Sequence, residues 1–254
     1  MLHQHTLQKL RQMKIDGMAD ALVTQAATTG SLALTFEERL GMIVDAEWTH
    51  RHNRRLKRLL KEAKLRLPAC IEDIDWGQPR GIDRSVLLAL AAGDWIRSHH
   101  SVLIEGPTGA GKTFLACALA NAACRQGFSA RYYRVPRLIT ELSVARADGS
   151  YPRLLSRLSR THVLVLDDWG LAPFTAPEAR EVLEVIEDRS QLNSTIVASQ
   201  LPFEHWHSAI ADPSVADAVL DRLVHTSHRI VLKGESMRKV KSGGMQPKES
   251  DQKG

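Results

Sequence analysis

Apolar residues in the first 75 or so positions recur at helical rather than alternating spacing. Leu7 and Leu10 share one face of a first helix, and "KIDG" interrupts it before a second helix predicted from about Met18 to Thr28. Thr35 followed three residues later by Glu38 is a capping-box start, and Phe36, Leu40, Ile43 and Val44 continue at helical spacing. Further on, Leu56, Leu59, Leu60, Ala63 and Leu67 form one apolar stripe, with Arg51, Arg54, Arg55, Arg58 and Lys61 largely off it. Pro68 is predicted to stop this helix, because proline lacks the N–H that the next turn needs. "ACIEDIDWGQPRG" then reads as a linker.

From about residue 81 the pattern changes. "DRSVLLALAAGDWIRSH" is predicted as one helix with Asp83 as its N-cap. Short β-rich runs then alternate with longer helical stretches: "SVLIE", "FSARYYR", "HVLVLDD", "STIVAS" and "HRIVLK". Strands that alternate with helices imply crossover connections, hence an α/β fold with a mostly parallel sheet flanked by helices on both faces. The polar, glycine-containing tail is predicted to be disordered, and no internal repeat is evident. The expected organisation is an all-α, basic N-terminal domain over 1–76, an α/β domain over 77–242 and a tail over 243–254.

Composition adds little until charge is mapped. Hydrophobic residues make up 43% and charged residues 25%, ordinary for a soluble globular chain. No apolar run reaches the roughly 20 residues that span a bilayer, so no membrane association is expected. The N-terminus lacks the apolar core of a signal peptide, so the expected compartment is the cytoplasm. Of the formal +5, the segment from Thr49 to Arg66 carries eight basic residues against Glu62 alone, a net +7, which leaves −2 elsewhere. Cys70, Cys117 and Cys124 have no metal-ligand spacing and read as reduced thiols. The pairs His3/His5 and His205/His207 sit two apart, which on a helix points them to different sides, and Trp206 reads as a packing anchor.

The chemistry is densest at "VLIEGPTGAGKTF". Gly106, Pro107, Thr108, Gly109, Ala110, Gly111, Lys112 and Thr113 fit G-x-x-x-x-G-K-[ST] between an apolar strand and a helix that continues with Phe114. Glycines let successive N–H groups turn inward as an anion cradle. Lys112 is expected to reach the β- and γ-phosphates of a polyphosphate, and Thr113 to ligate Mg²⁺. "VLVLDDW" supplies Asp167 at a strand end for Mg²⁺, and Asp168 to polarise a water, although a loop salt bridge suits Asp168 as well. Ser199 and Gln200 end another strand, and Gln200 is the one expected to orient that water.

Together with this loop, "LDDWGL", "SQLPFEHWH" and "ADAVLDRLVHTSHRIVLKGESMRK" resemble the IstB family, the AAA+ helper ATPases of bacterial insertion sequences, related to DnaC-type helicase loaders and to DnaA. The resemblance covers nearly the whole chain and is densest from about Trp76 to Lys241. It implies an AAA+ P-loop NTPase core, ATP and Mg²⁺ as cofactors, self-assembly on double-stranded DNA, and help to a partner transposase in choosing its insertion site. Arg222 in "LDRL" matches the arginine finger given to a neighbouring subunit, although an Asp221–Arg222 surface pair fits the residues too. Arg238 in "GESMR" matches the sensor arginine that touches phosphate.

Duplex affinity rests on phosphate contacts from a rigid cationic surface, which Arg51, Arg54, Arg55, Lys57, Arg58 and Lys61 provide on one helix. No helix-turn-helix pattern for base reading is evident, so binding is expected to follow backbone and shape. A second candidate surface holds Arg131, Arg134 and Arg137 with Tyr132 and Tyr133 interleaved, in a region that faces nucleic acid in initiator-type AAA+ proteins. The same alternation fits an ordinary strand with its tyrosines in the core. The other function class is a DnaC-like helicase loader, a replication adaptor whose N-terminal segment grips a protein. A metabolic P-loop kinase is disfavoured by the lack of an acceptor-binding signature.

Overall fold

A computed structural model describes residues 2–77 and 80–234; Arg238 and the tail over 243–254 lie outside the described residues. The chain divides into two compact units, Met1–Arg58 and Leu59–Gly254. The division falls earlier than the 76/77 boundary expected from the sequence.

The first unit holds α1 (Leu2–Gln12), α2 (Asp16–Ala27) and most of α3 (Phe36–Ala63). The capping box forms: the Thr35 amide donates to Glu38 Oε2 at 2.8 Å, and the Glu38 amide donates to Thr35 Oγ1 at 3.3 Å. Pro68 does not end this helix. It stops at Ala63, where Lys64 turns into the left-handed region at φ +50° and breaks the helical hydrogen-bond run. Of the apolar residues that open α3, Ile43 is buried, whereas Phe36 (77% exposed), Leu40, Val44 and Trp48 (67% exposed) face outward.

α2 crosses α3 at Gly17, where an added Cβ would lie 2.8 Å from Glu47 Cα and 2.9 Å from the Ala46 carbonyl oxygen. Next to it, the Met18 amide donates to Glu47 Oε2 at 3.2 Å, and Arg51 pairs with the same carboxylate at 2.6 Å. Contacts under 3 Å to backbone cannot relax by rotating a side chain, so Gly17→Ala is expected to pry the helices apart at a cost of about 1–3 kcal/mol. Thermal unfolding of the variant checks this, and an unchanged transition would count against a close helix crossing.

In the second unit, α4 (Arg84–Ala91) is capped by Asp83, whose carboxylate accepts from the Ser85 and Val86 amides. The predicted long helix breaks here. Gly93, at φ +82°, caps the separate one-turn α5 (Asp94–Arg97). There follow β1 (Ser101–Glu105), α6 (Lys112–Arg125), β2 (Ala130–Arg134), α7 (Val135–Asp148), α8 (Tyr151–Ser159), β3 (Val163–Trp169), α9 (Ala176–Glu187), β4 (Ser194–Ser199), α10 (Pro213–Val224) and β5 (Ser227–Val231). All five expected strands form, and every pairing is parallel in the order β2-β3-β4-β1-β5. β1, β3 and β4 are buried almost throughout, which requires helices on both faces of the sheet.

Trp169 and Trp206 are fully buried, with ring centroids 5.6 Å apart, and Phe203 packs edge-on against Trp206. The three cysteines are free thiols, Cys117 and Cys124 buried within α6. The β3–β4 register shifts between Leu166 and Trp169, and inside that irregularity Asp168 takes φ +60°. An acidic residue in the left-handed region at the end of a buried strand marks a place where local backbone comfort yields to position.

Candidate nucleotide site

Because β1 lies between β4 and β5, with β3 next to β4, the carboxyl ends of the three central strands open on one crevice. The loop from Gly106 to Gly111 leaves β1 there and enters α6. Gly106, Gly109 and Gly111 all have positive φ, at +150°, +84° and +103°. A Cβ on Gly106 would sit 2.5 Å from the Leu232 carbonyl oxygen, so both torsion and space demand glycine. The cleft beside the loop has a volume of about 300 Å³; Thr108, Lys112, Thr113 and Phe114 line it on the loop side, facing Arg66, Arg134, Asp167, Asp168 and Gln200.

Lys112 is largely buried, and its ammonium donates to the Gly106 and Pro107 carbonyls at 2.7 and 2.8 Å. Burial pushes its pKa down, with Asp167 and Asp168 pulling the other way. Asp167 is 1% exposed. Its Oδ2 accepts from Thr113 Oγ1 at 2.8 Å and from the Tyr132 hydroxyl at 2.6 Å, and its Oδ1 accepts from the Asp168 amide at 3.0 Å. A carboxylate and a hydroxyl that meet at hydrogen-bond distance beside an anion cradle are the hard oxygen donors that Mg²⁺ prefers, so these residues fit the ion. Burial and the Asp167 carboxylate push the Tyr132 phenol far above its ordinary pKa, so it stays a proton donor.

Several expected positions take different surroundings. Asp168 Oδ2 pairs with Arg134 Nε at 2.5 Å, so Arg134 lies in this cleft rather than on a free DNA-facing surface. Tyr132 and Tyr133 are buried, their hydroxyls donating to Asp167 and to Glu141, and they are not available to stack on bases. Arg137 is exposed on α7. The strand end after β4 separates its two polar residues: Ser199 is fully buried, donating to the Trp169 carbonyl at 2.7 Å, while Gln200 Oε1 accepts from Thr108 Oγ1 at 2.6 Å within the cleft.

Arg222 is absent from the cleft. It pairs with Glu187 at 2.6 Å, not with Asp221, and donates to the Ala218 carbonyl at 2.9 Å. On α3, Arg51, Arg54, Arg55, Lys57, Arg58 and Lys61 are exposed, with Arg51 held by Glu47. Two contributors were missed in the sequence. Arg66, counted there with the basic segment, has a guanidinium nitrogen 3.8 Å from Asp167 Oδ2 and 3.9 Å from Asp168 Oδ2. Arg80 is buried with its guanidinium 3.3 Å from where a Gly111 Cβ would stand. Neither has a local signal, since both reach the loop from chain segments far away in sequence.

Comparison with known proteins agrees with this geometry. A model of the IstB-like ATP binding protein family matches residues 8–243. A protein of Sinorhizobium fredii named as an insertion sequence ATP-binding protein is 46% identical over 94% of this chain and 98% of its own length. Among solved structures, AMPPCP-bound DnaA from Aquifex aeolicus superposes with a TM-score of 0.58 at 17% identity, over 74% of this chain and 58% of its own. The DnaC helicase loader superposes with a TM-score of 0.52 at 20% identity, over 59% of this chain and 87% of its own. The chain belongs to the IstB-like ATP binding protein family, and it is an ATPase built on the AAA+ P-loop fold.

Proposed function

We propose that this ATPase is an assembly switch in transposition: it oligomerises on duplex DNA when loaded with ATP, helps select the target site and recruits a partner transposase. One observation carries the DNA half of the proposal. Six cations, Arg51, Arg54, Arg55, Lys57, Arg58 and Lys61, are exposed along a single helix, in a chain whose relatives are named for insertion sequences. Such a row neutralises phosphates without reading bases. Electrophoretic retardation with duplex and single-stranded DNA, with and without ATP, tests it. Salt-sensitive duplex binding is expected, and a preference for single strands would overturn it.

Within the cleft, Lys112 exchanges its two carbonyl partners for the β- and γ-phosphates. Thr113 and Asp167 would hold Mg²⁺, which would supply charge neutralisation at the phosphates. Asp168 takes a proton from the attacking water, and Gln200 orients that water. Arg134 holds Asp168 Oδ2 at 2.5 Å and so fixes the orientation of the carboxylate.

Arg222 acts on the neighbouring subunit's nucleotide, consistent with its place outside its own cleft, and Arg238 is the sensor arginine. A guanidinium supplied in trans makes hydrolysis depend on assembly. Arg222→Ala is expected to bind nucleotide normally and to lose turnover by about 10³-fold or more. Unchanged turnover would remove the trans finger.

A second function, a DnaC-like loader, is favoured by one feature: Phe36, Leu40, Val44 and Trp48 are exposed on α3, as a segment that grips a protein needs. Single-strand preference in the retardation experiment would support it.

A further inference from the structure

We propose that Arg66 is a positioning residue that competes with the divalent cation for Asp167, so that loading of Mg²⁺ and nucleotide exchanges one cation for the other. The proposal rests on the nucleotide site described above and concerns a residue for which that site has no assigned role.

Among the described residues three cationic side chains line the cleft, and they are held differently. Lys112 is fixed by two carbonyls at 2.7 and 2.8 Å, and Arg134 by Asp168 at 2.5 Å. Arg66 stands 3.8 and 3.9 Å from the two carboxylates, which is attraction without a hydrogen bond, and its side chain is 41% exposed. Its guanidinium hydrogen-bonds the Tyr132 hydroxyl, which itself donates to Asp167 Oδ2. Of the three it makes the longest approach to its carboxylates, 3.8 and 3.9 Å against 2.5 Å for Arg134, so it gives up least when it turns away from them.

Its backbone, by contrast, is anchored. Lys64 turns the chain out of α3 at φ +50°, Ala69 is fully buried, and the Cys117 sulfur of α6 lies against the amides of Arg66 and Leu67. A fixed backbone with a loosely held guanidinium makes a side-chain switch rather than a mobile segment. The oxygen it faces, Asp167 Oδ2, is the one bonded to Thr113 Oγ1, the other Mg²⁺ donor. Two cations drawn to one buried carboxylate repel each other, so Arg66 raises the Mg²⁺ concentration the site requires.

The test is Mg²⁺ titration of a fluorescent, non-hydrolysable ATP analogue bound to the full chain, as wild type, Arg66→Gln and Arg66→Lys. Arg66→Gln is expected to reach half-saturation at about 3- to 10-fold lower Mg²⁺. In EDTA its affinity for the analogue should stay within about twofold of wild type, because the competition needs the ion. Arg66→Lys, which keeps the charge without the planar fork, should fall between the two. An unchanged Mg²⁺ half-point in Arg66→Gln overturns the exchange. So does an affinity in EDTA that falls well below that of the wild type, since Arg66 would then be touching the nucleotide. If the wild type binds the analogue with no response to Mg²⁺, the assignment of Thr113 and Asp167 to the ion fails as well, a different outcome from failure of Arg66 alone.

Discussion

Lys112→Ala is expected to abolish measurable ATP turnover while leaving the fold intact. Lys112 is the cation at the mouth of α6, and its ammonium is already desolvated and tethered by two loop carbonyls rather than by a carboxylate. A cation held by neutral dipoles gives up its partners to a polyanion readily, whereas one locked in an ion pair would not. Removing it takes away the charge that meets the γ-phosphate as negative charge shifts in the transition state. Loss of such a preorganised group costs on the order of 10²–10³-fold in rate or more. Phosphate release over time, measured beside an unfolding transition, separates lost chemistry from lost structure. A folded Lys112→Ala protein with wild-type turnover would remove the P-loop from the mechanism.

The second large effect is on DNA. Replacing Arg54, Arg55 and Arg58 together by alanine is expected to weaken duplex binding by on the order of 10²–10³-fold near 0.1 M salt. The figure follows from counterion release: each phosphate contact contributes about 0.9 to the slope of log affinity against log salt, so three contacts remove about 2.7. The slope is the sharper observable, because a merely misfolded variant loses affinity without a matching loss of slope. All three residues are exposed on the same helix, so their removal opens no cavity. Unchanged affinity and slope would move the DNA surface elsewhere on the molecule. The matching control is Arg66→Gln, which is expected to leave the slope alone, since Arg66 faces Asp167 and Asp168.

Much of the nucleotide cleft was legible because its chemistry is written in adjacent residues. The motif fixes Gly106 and Gly111 as turn-forming glycines, and the structure gives both, with Gly109 between them, positive φ. An apolar strand that ends in two acids likewise announces its own register, and Asp167 lies beside Thr113 although 54 residues separate them. The capping signals of Thr35 with Glu38 and of Asp83 are equally local and form as expected. Helix ends were less legible. Pro68 is a strong stop signal, yet α3 ends at Ala63, where Lys64 turns into the left-handed region ahead of the proline. Gly93 divides a pattern that is continuous in hydrophobicity.

What the sequence determined by itself is therefore the alternation of strands and helices, the anion cradle, the acid pair and the clustering of positive charge. Each depends on torsional preference or on chemistry within a few residues of chain. The tertiary structure decided which side chains meet across the sheet. In the order β2-β3-β4-β1-β5, Gln200 meets Thr108 while Ser199 is buried, Tyr132 and Arg134 meet the acids, and Arg222 lies outside its own cleft. Such partners are chosen by strand neighbours and crossovers tens of residues long, and no periodicity along the chain records which distant charge will fill a given gap.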